Sequence, residues 1–249
     1  MSLTVMTLTK VLLLLLSAVA THITFKPPNG TPKAPPRPPL SQGFVPTREW
    51  ILLATVRYIY RPIRVLYYIA TFNECLFVLS RGHSALQNVY YPSSPSNSIT
   101  YPFIFSAFLA IFGGVIRHAC YQALASAYAF ELVPSAKLSK DPHLASNPKL
   151  VTFGPYSIVR HPAYTGACIC LIGITFLHMG SDGWLIQSGF LSTLTGKMVV
   201  YSWILITWLS VALMATRVFD EDELMKKQFG KEWERWREVV RWRLVPGVF

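Results

Sequence analysis

An all-α integral membrane protein is the fold class this sequence predicts, with about five transmembrane helices and a cytoplasmic C-terminal amphipathic helix. Three observations lead there. Of the 249 residues, 52% are hydrophobic and only 14% are charged, with a mean hydropathy of +0.36, which is too apolar for a soluble domain of this length. Apolar segments recur at lengths near the roughly 20 residues that cross a bilayer. Basic residues gather in alternate connecting loops, as the positive-inside rule requires. The formal charge of +11 therefore reads as membrane flanks, and since no basic stretch carries a recognition motif, no nucleic-acid partner is expected.

The elements follow in chain order. Residues 1–25 form the first expected span, centred on the unbroken run from Val11 to Leu16. A secretory signal peptide competes for this segment, with Lys10 as a meagre basic region and small residues over 17–20, but it lacks a convincing basic start. Residues 26–49 carry eight prolines, Pro27, Pro28, Pro32, Pro35, Pro36, Pro38, Pro39 and Pro46, so they read as an extended cytoplasmic linker. Arg57, Arg61, Pro62 and Arg64 interrupt the apolar character of residues 50–80. That pattern predicts an interfacial amphipathic stretch leading into a span near 64–80.

A polar loop over residues 90–101 precedes a span at 101–116, which emerges through 117–131. Two more spans are expected near 164–180 and 197–216. In the remaining tail, Leu224, Phe229, Trp233, Trp236 and Val240 recur at helical spacing, flanked by Lys226, Lys227, Lys231, Arg235 and Arg237, which predicts a basic amphipathic helix on the membrane surface. Basic residues Lys26, Lys33, Arg37 and Arg48, then Lys137, Lys140, Lys149 and Arg160, put the proline-rich linker, the third loop and the tail on the cytoplasmic side. Cys75, Cys120, Cys168 and Cys170 lie in or beside apolar segments without ligands at zinc spacing. They read as free packing thiols, with no metal site.

Two polar signatures stand out against this apolar background. One is Gly154-Pro155-Tyr156-Ser157-Ile158-Val159-Arg160-His161-Pro162-Ala163-Tyr164-Thr165-Gly166; the other is Arg217-Val218-Phe219-Asp220-Glu221-Asp222, with Phe229-Gly230 beyond. Each has a plain structural reading. Glu221 and Asp222 suit a helix-terminal charge cluster, His161-Pro162 a capping turn, and Arg117 a snorkelling anchor at a helix end. Together with Arg117 and Ala119, the Leu150-Val151-Thr152 run and Val245-Pro246, they resemble the isoprenylcysteine carboxyl methyltransferase family of endoplasmic-reticulum enzymes. The resemblance spans residues 113–246 of a single membrane domain covering 1–249. The chain departs from the family pattern at Pro148, where the family has His, and at Trp233 and Trp236, where it has Tyr; the segment between Arg117 and Arg160 is also longer. His143 offers a substitute imidazole from that longer segment.

The resemblance implies S-adenosylmethionine as cofactor, and no glycine-rich Rossmann turn is present to hold it. It implies a cofactor site formed by Gly154, Tyr156, Arg160, His161, Tyr164, Glu221 and Asp222. Glu221 and Asp222 would accept from ribose hydroxyls or the ammonium, while His161 and Tyr164 would add hydrogen bonds and a ring face. The implied reaction is methyl esterification of the C-terminal prenylcysteine of prenylated proteins, within a membrane-lipid environment. A carboxylate with a reference pKa of about 3.3–3.7 is already anionic at neutral pH and needs no general base. It needs an orienting cation, for which Arg117 ranks first, Arg217 second and Arg160 third. Three rivals remain: a phospholipid amine methyltransferase, which needs a base to deprotonate its acceptor; a sterol reductase using a nicotinamide cofactor; and a non-catalytic membrane relative.

Overall fold

The computed structural model describes residues 3–26, 50–80, 99–124 and 149–249, and all regular structure among them is helical. In chain order these are α1 (Leu3–Phe25), α2 (Trp50–Ser80), α3 (Tyr101–Leu124), α4 (Pro162–His178), the four-residue α5 (Trp184–Gln187), α6 (Leu194–Phe229) and α7 (Lys231–Val239). The proline-rich linker over 27–49, loop residues 90–98, residues 125–131, His143 and Pro148 lie outside the described residues. Four helices, α1, α2, α3 and α6, are long and apolar enough to cross a membrane. The fifth expected span, α4, is apolar but has 17 residues. At 1.5 Å per residue that is about 25 Å, less than the ~30 Å hydrocarbon core.

Two boundaries differ from the sequence expectation. Residues 50–80 do not divide into an interfacial stretch and a separate span; they form one helix of 31 residues with a π-turn at Thr55–Ile59. Pro62 explains the π-turn: it has no N–H for the Tyr58 carbonyl and its ring crowds that oxygen, so the preceding turn widens instead of breaking. The expected tail helix is divided: its second half is the separate α7, Lys231–Val239, and its first half belongs to the last span. The last span continues unbroken to Phe229 as a 36-residue helix, about 54 Å long, so its charged turns from Arg217 onward lie beyond the apolar stretch. Gly230, at φ +53, ends it in a conformation that side chains with a Cβ rarely adopt, and α7 follows with Trp233 and Val240 buried.

The chain divides into two compact units. The first comprises Met1–His22, Pro62–Gly114 and Cys168–Trp208. Its core includes Leu14, Cys75, Val78, Ala107 and Leu177, with Val11, Leu13 and Phe103 against them. Small residues set the helix spacing, as expected where lipid is no less apolar than a partner helix. A Cβ on Gly173 would meet the Ala110 nitrogen at 2.4 Å, and one on Gly114 would meet Ala20 Cβ at 2.5 Å. Hydroxyls inside these helices bond back along the chain, Ser17 to the Leu13 carbonyl at 2.8 Å and Thr175 to the Leu171 carbonyl at 2.7 Å, which satisfies them without water. Buried Glu74 accepts from the Trp184 backbone N–H at 2.7 Å at the start of α5, and buried His178 lies 3.4 Å from Thr71 Oγ1. All four cysteines are free thiols.

The second unit comprises Ile23–Arg61, Val115–Ala167 and Leu209–Phe249. Here α1 ends, and its last carbonyls need partners. Arg117 Nε donates to the Thr24 carbonyl at 3.2 Å, and the Tyr121 hydroxyl to that of Ile23 at 3.1 Å. The second unit also holds both polar signatures.

Candidate functional site

Pro162 opens α4, where its missing N–H costs nothing and its fixed φ suits the first turn. His161 therefore becomes the cap residue, and its carbonyl accepts from the N–H groups of Tyr164 and Thr165 at 3.0 and 3.2 Å. This capping geometry aims the His161 and Tyr164 side chains together, with rings stacked at 5.9 Å and only 12° apart. The charged end of α6 supplies Arg217, Glu221 and Asp222, spaced so that they fall on neighbouring turns.

Asp222 is the hub. Its Oδ2 accepts from Arg160 NH1 at 2.6 Å and Arg243 Nε at 2.9 Å, while its Oδ1 lies 2.9 Å from His161 Nε2. Asp222, Arg160 and His161 are all buried. Burial by itself raises the Asp222 pKa. The His161 hydrogen bond and charge, then Arg160 and Arg243, outweigh it and hold the carboxyl below the usual carboxylate range. Burial likewise lowers the Arg160 pKa, and the charge of Asp222 opposes that. A second chain of bonds runs beside this hub: Arg217 NH1 donates to the Tyr164 hydroxyl at 2.8 Å, which donates to Glu221 Oε2 at 2.6 Å. His161 Nδ1 stands 3.9 Å from the same Glu221 oxygen. The Glu221 side chain keeps 33% of its surface exposed against 8% for Asp222. One carboxylate is thus enclosed by cations and the other is open at the edge.

The expected residues separate into three groups. Arg160, His161, Tyr164, Arg217, Glu221 and Asp222 form one connected network. Arg117 is buried elsewhere in the unit, donating to the Thr24 carbonyl and, through NH1, to the Ala163 carbonyl at 2.8 Å, with its guanidinium 5.3 Å from the Tyr121 ring centroid. Gly154 and Tyr156 belong to a short 3-10 turn, Gly154–Ser157, which Gly154 enters at φ +62. Tyr156 sits against the Cys120 thiol.

Arg243 was not among the expected residues. It enters because residues 160–161 and 242–243 run side by side: Arg160 N–H donates to the Trp242 carbonyl and His161 N–H to the Arg243 carbonyl, both at 2.9 Å. Arg160 NH2 reaches the Arg241 carbonyl at 3.3 Å, and Thr165 Oγ1 donates to the Leu244 carbonyl at 2.7 Å. The Arg243 guanidinium lies 4.7 Å from the Phe219 ring centroid and 5.5 Å from that of Phe249. The available signal was the continuation of the family pattern to Val245-Pro246, just past this arginine.

An open carboxylate beside a stacked His and Tyr suits a ligand carrying hydroxyls or an ammonium, both present in S-adenosylmethionine. The buried hub fixes the geometry of that edge.

Residues 101–232 match the phospholipid methyltransferase family. That is more than half of the chain, and the chain belongs to this family, within the isoprenylcysteine carboxyl methyltransferase superfamily of membrane methyltransferases. Among curated proteins it is similar to the Delta(14)-sterol reductase of Neurospora crassa, 27% identical over 120 residues, which cover 41% of this chain and 24% of that protein. The Delta(14)-sterol reductase of Ascobolus immersus is 27% identical over 104 residues, covering 42% of this chain and 20% of its own length. Delta(14)-sterol reductase ERG24A of Gibberella zeae is 32% identical over 116 residues, covering 41% and 24%. The chain thus spans a quarter or less of the length of these relatives. No solved structure matches it.

Proposed function

We propose that this multi-pass membrane protein uses S-adenosylmethionine to methylate the C-terminal carboxylate of prenylcysteine on prenylated proteins, at the cytoplasmic face of the endoplasmic reticulum. The observation that carries the reading is the pairing of enclosed Asp222 with open Glu221 on the stacked His161 and Tyr164. Glu221 receives the ribose hydroxyls or ammonium of the cofactor, Tyr164 holds Glu221 through its hydroxyl, and His161 and Arg160 are held rigid by Asp222. When bound, the cofactor supplies an electrophilic methyl on a sulfonium.

An acceptor carboxylate is already anionic at neutral pH, so no residue would need to take its proton. The residues therefore need only bind, orient and exclude water, effects capable of several kcal/mol. Arg217, tied to Tyr164 at 2.8 Å, is the cation assigned to orient the acceptor carboxylate. Arg117, bonded to two backbone carbonyls, holds the ends of α1 and α4 around it. The named activity of the reductase relatives favours a second reading, reduction of a sterol with a nicotinamide cofactor.

The deciding measurement is transfer of labelled methyl from S-adenosylmethionine to N-acetyl-S-farnesylcysteine in membranes containing the chain. Base-labile ester that disappears in Glu221→Ala supports carboxyl methylation. Methyl transfer to a phospholipid amine instead would replace the acceptor, and binding of reduced nicotinamide cofactor without binding of S-adenosylmethionine would overturn the proposal.

A further inference from the structure

Three buried N–H donors in the second unit, Arg160 Nε, Trp233 Nε1 and Trp236 Nε1, have no hydrogen-bond partner among the described residues. Trp233 is 2% exposed and Arg160 is 5% exposed. Protein interiors rarely leave such groups unmade, because a buried donor without an acceptor forfeits the hydrogen bonds it made to water. Trp233 and Trp236 are three residues apart on α7 and so are neighbours along it. The Arg160 guanidinium lies 5.9 Å from the Trp233 ring centroid and that of Arg237 lies 5.5 Å from it. The other nitrogens of Arg160 are engaged, NH1 by Asp222 and NH2 by the Arg241 carbonyl.

We infer that Trp233, Trp236 and Arg160 form a niche for a ligand carboxylate, built only of donors and flanked by two guanidiniums. An indole N–H and an arginine Nε donate and never accept, so the group that satisfies them must be an acceptor, and the flanking positive charge selects an anion. An ammonium, which only donates, meets neither condition. The niche therefore takes an anionic oxygen rather than an ammonium, and a carboxylate is the anion that both partners of the proposed reaction carry.

This inference rests on the methyl-transfer reading, which offers two carboxylates, that of the methionyl end of the cofactor and that of the prenylcysteine. The test uses the full chain in nanodiscs, with Trp233→Phe and Trp236→Phe, which keep a ring and delete the N–H. Binding of S-adenosylmethionine and of its decarboxylated analogue is measured, as is the KM for N-acetyl-S-farnesylcysteine. Loss of a hydrogen bond to a charged group predicts weakening of about tenfold or more. Weaker binding of S-adenosylmethionine, with the decarboxylated analogue unaffected, assigns the niche to the cofactor. Unchanged cofactor binding with a raised KM assigns it to the acceptor.

Normal values for both in folded variants overturn the niche and leave the methyltransferase intact. Failure of the unmutated chain to bind S-adenosylmethionine overturns the methyl-transfer reading and the niche with it. Thermal melts establish folding, and if Trp233→Phe does not fold, the half-buried Trp236 variant decides alone.

Discussion

Each unit of this protein buries a carboxylate, and the two are handled differently. Glu74 in the first unit accepts a backbone N–H at the start of a short helix, whereas Asp222 in the second is enclosed by the side chains of Arg160, His161 and Arg243. A backbone donor fixes chain geometry and carries no net charge. Three side chains from two distant parts of the sequence, gathered on one carboxylate, fix the positions of those side chains. The contrast separates a carboxylate that holds a turn from one that organises a site, although burial alone does not distinguish them.

The sharpest way to break that contrast is Asp222→Ala. Removing the hub leaves buried cations facing one another, which costs about 3–5 kcal/mol by the usual measure of an orphaned buried pair. Denaturation of the purified protein and the methyl-transfer assay should both register the loss. Acid sharpens the same point. The folded-state pKa of Asp222 is depressed, so its stabilising contribution is complete above about pH 3.9 and is lost as pH falls through the lowered value. Asp222→Asn should remove that part of the acid limb from a pH series of unfolding measurements.

Gly173→Ala comes next. The added methyl meets the backbone of α3 at Ala110, and overpacking of this kind costs about 1–3 kcal/mol. A lowered melting temperature with unchanged affinity for S-adenosylmethionine would keep the first unit on the structural side of the comparison. Glu74→Ala should cost about 1–3 kcal/mol by leaving the Trp184 N–H without its acceptor, whereas Glu74→Gln, which retains a carbonyl, should restore most of it. Loss of cofactor affinity in Glu74→Gln would erase the distinction between the two carboxylates. The smallest effect is expected for Lys226→Ala. Its 3.0 Å pair with Glu234 joins two half-exposed side chains, so the change should stay within about 1 kcal/mol.

The helices were legible because apolar length is a one-dimensional property, and all five expected apolar helices are present. Their ends were not. Arg57, Arg61 and Pro62 look like an interruption, yet a π-turn absorbs the proline and α2 continues. The charges after Ala215 look like an exit from the membrane followed by a new surface helix, yet the backbone hydrogen bonds of α6 continue to Phe229, since charge does not interrupt them and only Gly230 does.

Within the site, Arg160, His161, Tyr164, Glu221 and Asp222 were readable because local motifs carry them. Arg243 was hidden: its place depends on backbone pairing between residues more than 80 positions apart in the sequence, and nothing local to the tail marks one arginine among several. Arg117 stood out through its match to the family pattern, as the first candidate for the orienting cation at the end of a span. Its bonds to the Thr24 and Ala163 carbonyls depend on where α1 ends and α4 begins, which a linear pattern does not supply.

The pairing of residues 160–161 with 242–243 also governs when the site comes into being. Domains assemble as the chain emerges from the ribosome, at roughly 5–20 residues per second. Every helix through α6 can enter the bilayer while Arg160 still lacks its backbone partner and Asp222 still lacks Arg243. Residues 242–243 are therefore what completes this site, and a chain truncated before them would keep its helices through α6 without a completed hub.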